Sequence, residues 1–341
     1  MGWIMSAKKF HRELLRKFPN RVMAVELTNL CNLNCPLCST GSGFNKKPKG
    51  MMKLDDFKRV MEKLSFMVDE VSFIGSGEPF LHPDFIRFVK YTAKEKGKRV
   101  NCYSNGMLIG DFDAIVRSGL NSIWIDVDGI TQAQHQKYRI GSDLNQILRN
   151  IENLVLAKKN AGAYYPRIYF DTLISRYNEN DYEHFIDLAK KVGADGIRLR
   201  GITDDIYKKS DWFPVQDKFK VMPRQDDSYD CSFKDTWAGI LSWDGEVQLC
   251  CMSPHHDVPV IKTNVFKDND VIGQLNSDKF YRLTKLAGKH PFCKTCSLAK
   301  YTFYEKIINF DSSAEGRYKN NLFGLINAIL EKASKLWRNI F

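Results

Sequence analysis

Short runs of β-branched and aromatic residues alternate with segments of helical spacing along the N-terminal part of the chain. The strand-like runs are residues 21–28, 70–75, 99–104, 122–127, 167–174 and 196–200. Between them, residues 54–66, 83–96, 144–159 and 181–192 repeat apolar side chains three and four positions apart. Parallel neighbours need a crossover connection, so strand-then-helix units in series predict a parallel sheet with helices outside it. Pro83 and Asp84 mark a helix start, and Gly97 and Gly193 sit where helices stop. Near Thr203 the rhythm breaks into loops containing Cys, Trp, Pro and His, with one hairpin signal at Trp243-Asp244-Gly245-Glu246. A domain boundary is expected between residues 201 and 229.

Composition narrows the class. At 341 residues, 43% hydrophobic and 27% charged, the chain is neither disordered throughout nor a miniprotein in need of staples. No run approaches the ~20 apolar residues of a membrane-spanning helix. The N-terminal MGWIMSAKKFHRELLRKFPN lacks a signal peptide's apolar segment, so a cytoplasmic location is expected. Nine cysteines in a reducing compartment then call for a use other than disulfides, metal foremost. The net charge of +11 favours an anionic contact, whether a phosphorylated substrate, nucleic acid or an acidic membrane surface.

Cys31, Cys35 and Cys38 form C-x3-C-x2-C directly after the first strand, where α/β folds build their sites. Three thiolates can each hold one iron of a [4Fe-4S] cube, leaving the fourth iron open. The alternative is a zinc site that borrows its fourth ligand from elsewhere.

The segment TNLCNLNCPLC resembles the cluster-binding loop of radical S-adenosylmethionine (radical SAM) enzymes. Gly75, Ser76, Gly77 and Glu78, followed by Pro79, resemble that family's glycine-rich stretch after the second strand, whose backbone meets the amino group of the methionine moiety. Tyr103-Ser104-Asn105-Gly106 resembles the end of the third strand. Asp126 and Asp128 on the fourth, with Tyr138-Arg139 after it, resemble the positions where a polar side chain and an arginine contact the cofactor. The resemblance covers about residues 20 to 200 in the family's order. It implies a partial (β/α)6 barrel whose open iron chelates S-adenosylmethionine, and reductive cleavage to a 5'-deoxyadenosyl radical that takes a substrate hydrogen. Leu37 stands where the family usually carries an aromatic residue near the adenine, so altered packing is expected there. Ser76 replaces the central glycine, a small change if the backbone makes the contact.

A second set follows: Cys231, then Gly245-x4-Cys250, then Cys293-x2-Cys296. Four thiolates suit a closed site, and the residues alone leave zinc and iron-sulfur both open. Downstream of a radical SAM barrel, this order resembles the SPASM and twitch auxiliary domains. No cysteine follows Cys296, so the resemblance implies the shortened type with one auxiliary [4Fe-4S] cluster. The cysteine order is similar to that of the superfamily's aminocyclitol dehydrogenase. Cys251 is an alternative to Cys250, and Cys102 reads as a buried small hydrophobe.

The expected organisation is an N-terminal extension (1–20), the barrel (21–215), the auxiliary-cluster domain (216–310) and a basic amphipathic helix (311–341). The expected activity is oxidation of a hydroxylated small molecule, such as a sugar, cyclitol or lipid-linked glycan, with the auxiliary cluster as electron acceptor and flavodoxin or ferredoxin as reducing partner. Asp171, Arg200 and His82 are the candidates for orienting the hydroxyl or taking its proton. Lys46, Lys47 and Lys49 form a basic loop that can meet a phosphate or simply face solvent. His255 and His256 carry no assignment. Residues 322–341 either pack on their own domain or lie on an acidic membrane surface, and nucleic acid is not an expected partner. The first alternative is peptide or protein modification, weakened by the roughly twenty residues ahead of the barrel, too few for a leader-binding domain. The second is a non-catalytic iron-sulfur or zinc-binding module, which would not cleave S-adenosylmethionine.

Overall fold

The β-rich runs all become strands in the computed structural model, which describes residues 22–65, 68–202, 210–220, 222–223, 237–248, 263–267, 301–302 and 305–310. The first part runs β1 (Val22–Val25), α1 (Leu54–Leu64), β2 (Glu70–Phe73), α2 (Phe85–Lys90), β3 (Arg99–Ser104), α3 (Phe112–Ser118) and β4 (Ser122–Asp126). It continues through α4 (Gln132–Tyr138), α5 (Leu144–Asn160), β5 (Arg167–Ile174), α6 (Tyr182–Lys191) and β6 (Gly196–Gly201). These strands pair in sequence order, each parallel to the next. The parallel α/β architecture expected from the alternation is the one observed.

Strand periodicity separates two faces. Val71, Phe73, Val100, Cys102, Ile123, Ile125, Ile168, Phe170, Ile197 and Leu199 point into a continuous apolar core shared with the helices. In α1, Leu54, Phe57, Val60, Met61 and Leu64 are buried at helical spacing. Phe57 lies with its ring centroid 5.2 Å from Phe88 and 6.1 Å from Phe73. Burying one such ring contributes about 2 to 3 kcal/mol. The opposite face is polar and aromatic: Asn101, Tyr103, Ser122, Trp124, Asp171 and Arg198 bond or stack with one another there.

Two segments depart from the pattern. The helix expected over 83–96 divides into α2 and a wider turn over Tyr91–Glu95, closed by Lys96 N–H donating to Tyr91 O. Thr92 Oγ1 donates to the Phe88 carbonyl oxygen at 2.8 Å, a side-chain bond that competes with regular helix. The first strand is shorter than expected, because after Val25 the chain bends into the cysteine loop and returns only at the Thr28–Met51 bridge.

Beyond β6 the described strands are β7 (Met222–Pro223), β8 (Trp237–Leu241), β9 (Glu246–Gln248), β10 (Thr263–Asn264), β11 (Tyr301–Thr302) and β12 (Glu305–Asn309). The hairpin forms at the signalled turn, between β8 and β9. Its strand β8 runs parallel beside β1, and β12 pairs antiparallel with β6. Strands from the C-terminal part thus cover both edges of the parallel sheet, giving the order β10-β9-β8-β1-β2-β3-β4-β5-β6-β12. Among the described residues, no helix is long and apolar enough to cross a membrane.

Candidate active site at the strand ends

The cysteine loop leaves the C-terminal end of β1 and is tied back at its base. Asn29, fully buried, donates to Pro48 O at 2.7 Å and accepts the Gly50 N–H at 2.9 Å. Thr28 Oγ1 donates to Gly50 O at 2.7 Å and accepts the Leu30 N–H at 3.0 Å. Within the loop, Cys38 N–H donates to Cys35 O at 3.1 Å, forming a tight turn. A Cβ on Gly41 would lie 2.3 Å from the Cys35 backbone nitrogen, so the turn admits no side chain there.

Cys35 is buried, while Cys31 and Cys38 are partly exposed. Burial pushes the Cys35 thiol up to about 12, against the pull of the Arg139 guanidinium. Arg139 Nη1 sits 3.9 Å from Cys35 Sγ, and Asn105 Nδ2 the same distance from Cys31 Sγ. Among the described residues, no three His, Cys, Asp or Glu side chains converge as the ligands of a single ion would. A cube takes one thiolate on each of three irons and needs no such convergence. Three thiols on one rigid loop, two of them met by polar N–H donors, fit that group.

The glycine-rich turn lies flat against this loop. Glu78 N–H donates to Leu30 O at 2.8 Å, and a Cβ on Gly77 would lie 2.3 Å from Thr28 O. The buried Glu78 carboxylate accepts from Ser104 Oγ and the Asn105 N–H, each at 2.8 Å, and from the Phe80 N–H at 3.1 Å. Burial pushes its carboxyl up while those donors act against the shift. Gly75 and Ser76 pack on Glu26, whose Oε2 accepts the Ser76 N–H at 3.0 Å. Leu37 is half-buried within the loop.

Arg139 joins the loop to β4. Its Nη1 lies 2.9 Å from Asp126 Oδ2, and its Nε donates to Asp128. Burial pushes Asp126 up to about 7; Arg139 acts against the shift, and the Asp171 and Asp128 charges add to it. Asp128 also accepts the Leu173 N–H at 2.6 Å, which fixes the end of β5.

The three candidates for substrate chemistry are placed differently. Asp171 is buried between Arg198 and Arg200, with Nε donors 3.0 and 2.9 Å away. Burial works to raise its carboxyl, and the two guanidiniums outweigh it, holding Asp171 well below the usual carboxylate range. It is therefore a poor proton acceptor near neutral pH. Arg200 stands at the strand ends with its side chain 34% exposed. His82 lies apart from this pair: its Nδ1 accepts the Asp84 N–H at 3.1 Å, so Nε2 carries the proton donated to Met52 O at 2.8 Å. Both of its ring nitrogens are thus bonded to backbone. The basic loop is also largely engaged, since Lys47 pairs with Glu246 and Lys49 caps Asn29 O, each at 3.0 Å, leaving Lys46 exposed. Cys231, Cys250, Cys251, Cys293, Cys296, His255, His256 and residues 322–341 lie outside the described residues.

Glu26, Asn29 and Arg198 escaped the sequence reading. Arg198 had a signal, since it precedes Arg200 by two positions in a strand and so shares its face.

Residues 25–189 match the model of the Radical SAM superfamily. That stretch is similar to a radical SAM domain. Among curated relatives, the AdoMet-dependent heme synthase of Methanosarcina barkeri is 28% identical over 177 residues, 51% of this chain and 48% of that protein. The tungsten-containing aldehyde ferredoxin oxidoreductase cofactor-modifying protein of Pyrococcus furiosus is 22% identical over 331 residues, 85% of this chain and 91% of that protein. The chain spans about half the length of the first of these relatives. Among solved structures, Streptococcus suis SuiB bound to S-adenosylmethionine superposes with a TM-score of 0.64 at 12% identity, over 87% of this chain and 78% of that one. BtrN in complex with AdoMet and 2-DOIA gives 0.52 at 16% identity, over 82% and 92%. The chain therefore has the fold of these solved radical SAM structures.

Proposed function

We propose that this protein is a radical SAM oxidoreductase acting on a hydroxylated small molecule. One observation carries the reading: a continuous polar path runs from Cys35 through Arg139 to Asp126, at the end of the polar sheet face that Asp171 and Arg200 share. Cys31, Cys35 and Cys38 are the residues proposed to hold the cube, which when bound and reduced supplies the electron that cleaves S-adenosylmethionine. The glycine-rich turn and Asn105 would border the methionine end, with Asp126 and Arg139 beside it. Arg200, fixed through its Nε by Asp171, then presents its remaining guanidinium to a substrate hydroxyl. Cys231, Cys250, Cys293 and Cys296 are the proposed holders of an auxiliary [4Fe-4S] cluster that would accept the second electron. A reducing partner of the flavodoxin or ferredoxin kind belongs to the same reading.

The charges on the polar face favour a neutral or amine-bearing polyol. Arg139, Arg198 and Arg200 there face Asp126, Asp128, Asp171 and Glu305, so the described cations are already matched.

The test is anaerobic incubation of the reconstituted protein with S-adenosylmethionine, dithionite and a panel of carbon-deuterated cyclitols and sugars. Roughly eight irons per chain, deuterium in 5'-deoxyadenosine and a ketone product are expected. Deuterium transfer from a peptide panel and none from the polyols would instead support the second reading, peptide modification. What favours that alternative is the higher TM-score of SuiB, a protein solved with its precursor peptide SuiA.

A further inference from the structure

Glu26 is the buried point at which three separate segments meet. Its backbone N–H donates to Leu241 O at 2.9 Å, extending the β1–β8 ladder by one residue. Its carboxylate accepts the Ser76 N–H at 3.0 Å, and a Cβ on Gly75 would lie 2.7 Å from both its Cβ and its Cγ. The glycine-rich turn therefore rests directly on this side chain. The Trp243 backbone N–H, from the hairpin turn, and the Lys47 ammonium, from the cysteine loop, both act on the same carboxylate.

The hairpin turn reaches the cysteine loop by two further contacts. The Trp243 indole covers Gly50 so closely that a Cβ on the glycine would lie 2.2 Å from its Cζ3. Lys47 Nζ pairs with Glu246 Oε2 at 3.0 Å. Gly50 is the residue that Asn29 and Thr28 hold, so pressure from Trp243 falls on the base of the loop that carries the cysteines.

We infer that Glu26 is a positioning residue for S-adenosylmethionine: through the Ser76 N–H it sets the glycine-rich backbone, and through its own backbone bond to Leu241 it ties that backbone to the C-terminal hairpin. The inference rests on the radical SAM reading of the glycine-rich turn. Among the described residues Glu26 bonds to no cysteine, and it acts on the methionine end of the cofactor through Ser76. Without the carboxylate, the Ser76 N–H loses a buried acceptor and the turn loses the side chain it rests on. A glutamine keeps an acceptor oxygen at the same reach.

The experiment measures S-adenosylmethionine affinity of the anaerobically reconstituted full chain by equilibrium dialysis, alongside iron content and the visible absorption of the cluster. Glu26→Ala is expected to weaken binding about tenfold or more, with iron content equal to wild type. Glu26→Gln is expected to restore affinity to within about threefold. Ser76→Pro, which removes the N–H without touching β1, is expected to reproduce the alanine defect and keeps the idea testable should Glu26→Ala fail to fold. Wild-type affinity in Glu26→Ala or Ser76→Pro would overturn the inference. So would a parallel loss of iron in Glu26→Ala and Glu26→Gln, which would make Glu26 a scaffold residue of the cluster loop. Absence of binding by the wild-type holoprotein would instead sink the cofactor reading itself.

Discussion

Arg139 and Asp126 form an ion pair of 2.9 Å that closes the gap between the end of β4 and the cysteine loop. The same guanidinium donates to Asp128 and reaches Cys35 Sγ, so one side chain joins a strand end, its following turn and a metal-ligand candidate. Its side chain is 11% exposed, and the pair is thus little screened by solvent.

Removing Arg139 takes from two carboxylates in low dielectric the guanidinium that bonds both of them. Arg139→Ala is expected to destabilise the chain by about 3 to 5 kcal/mol in urea denaturation under anaerobic conditions. Arg139→Lys keeps the charge and loses the planar fork that serves two carboxylates at once, so its midpoint is expected between alanine and wild type. A wild-type midpoint in the alanine variant would show that the pair is not closed in solution.

Asp126 gives a pH signature with a definite sign. Its folded value, near 7, lies above its unfolded value, so between about pH 4 and 7 the folded chain holds the extra proton. Its contribution to stability therefore falls as pH rises through that window and is constant above it. Buried His135, pushed down to about 4 by burial, has the opposite slope between about pH 4 and 6.5 and partly masks the effect. The difference between wild type and Asp126→Asn isolates Asp126: relative to the variant, wild type should lose stability from pH 5 to pH 8. Parallel stability profiles for the two proteins would refute the assignment.

Gly77 tests the close approach of the two loops. An alanine methyl would collide with the carbonyls of Thr28 and Leu30 and push the glycine-rich turn off the cysteine loop. Gly77→Ala is expected to cost about 1 to 3 kcal/mol in stability and at least tenfold in S-adenosylmethionine affinity. Isothermal titration of the reconstituted protein against the cofactor reads the second effect, and unchanged affinity would mean that the turn has room to move.

Local features of the sequence carried much of this architecture. Runs such as IYFDTLI in β5 and the spacing of Leu54, Phe57, Val60, Met61 and Leu64 in α1 are imposed by burial against the sheet, which leaves a periodic trace. The cysteine spacing was equally direct, because C-x3-C-x2-C places three thiols on one short loop whatever the rest of the fold does. Three things left no such trace. That β8 would pair with β1 depends on long-range docking, and a hairpin signal says nothing about its neighbour. The occupation of both His82 nitrogens by Met52 and Asp84 is a tertiary fact; an isolated histidine in sequence looks the same whether it binds backbone or substrate. Glu26 reads as an ordinary end of strand until Ser76, Trp243 and Lys47 are brought to it by the fold.

The most direct test of the account is product analysis after anaerobic reconstitution with iron and sulfide, reduction by dithionite and addition of S-adenosylmethionine. Wild-type protein is expected to form 5'-deoxyadenosine and methionine in equal amounts, and Cys31→Ala to form neither above background. Absence of 5'-deoxyadenosine from cluster-loaded wild type, or its undiminished formation by Cys31→Ala, would contradict the claim that these three cysteines build a radical-generating site.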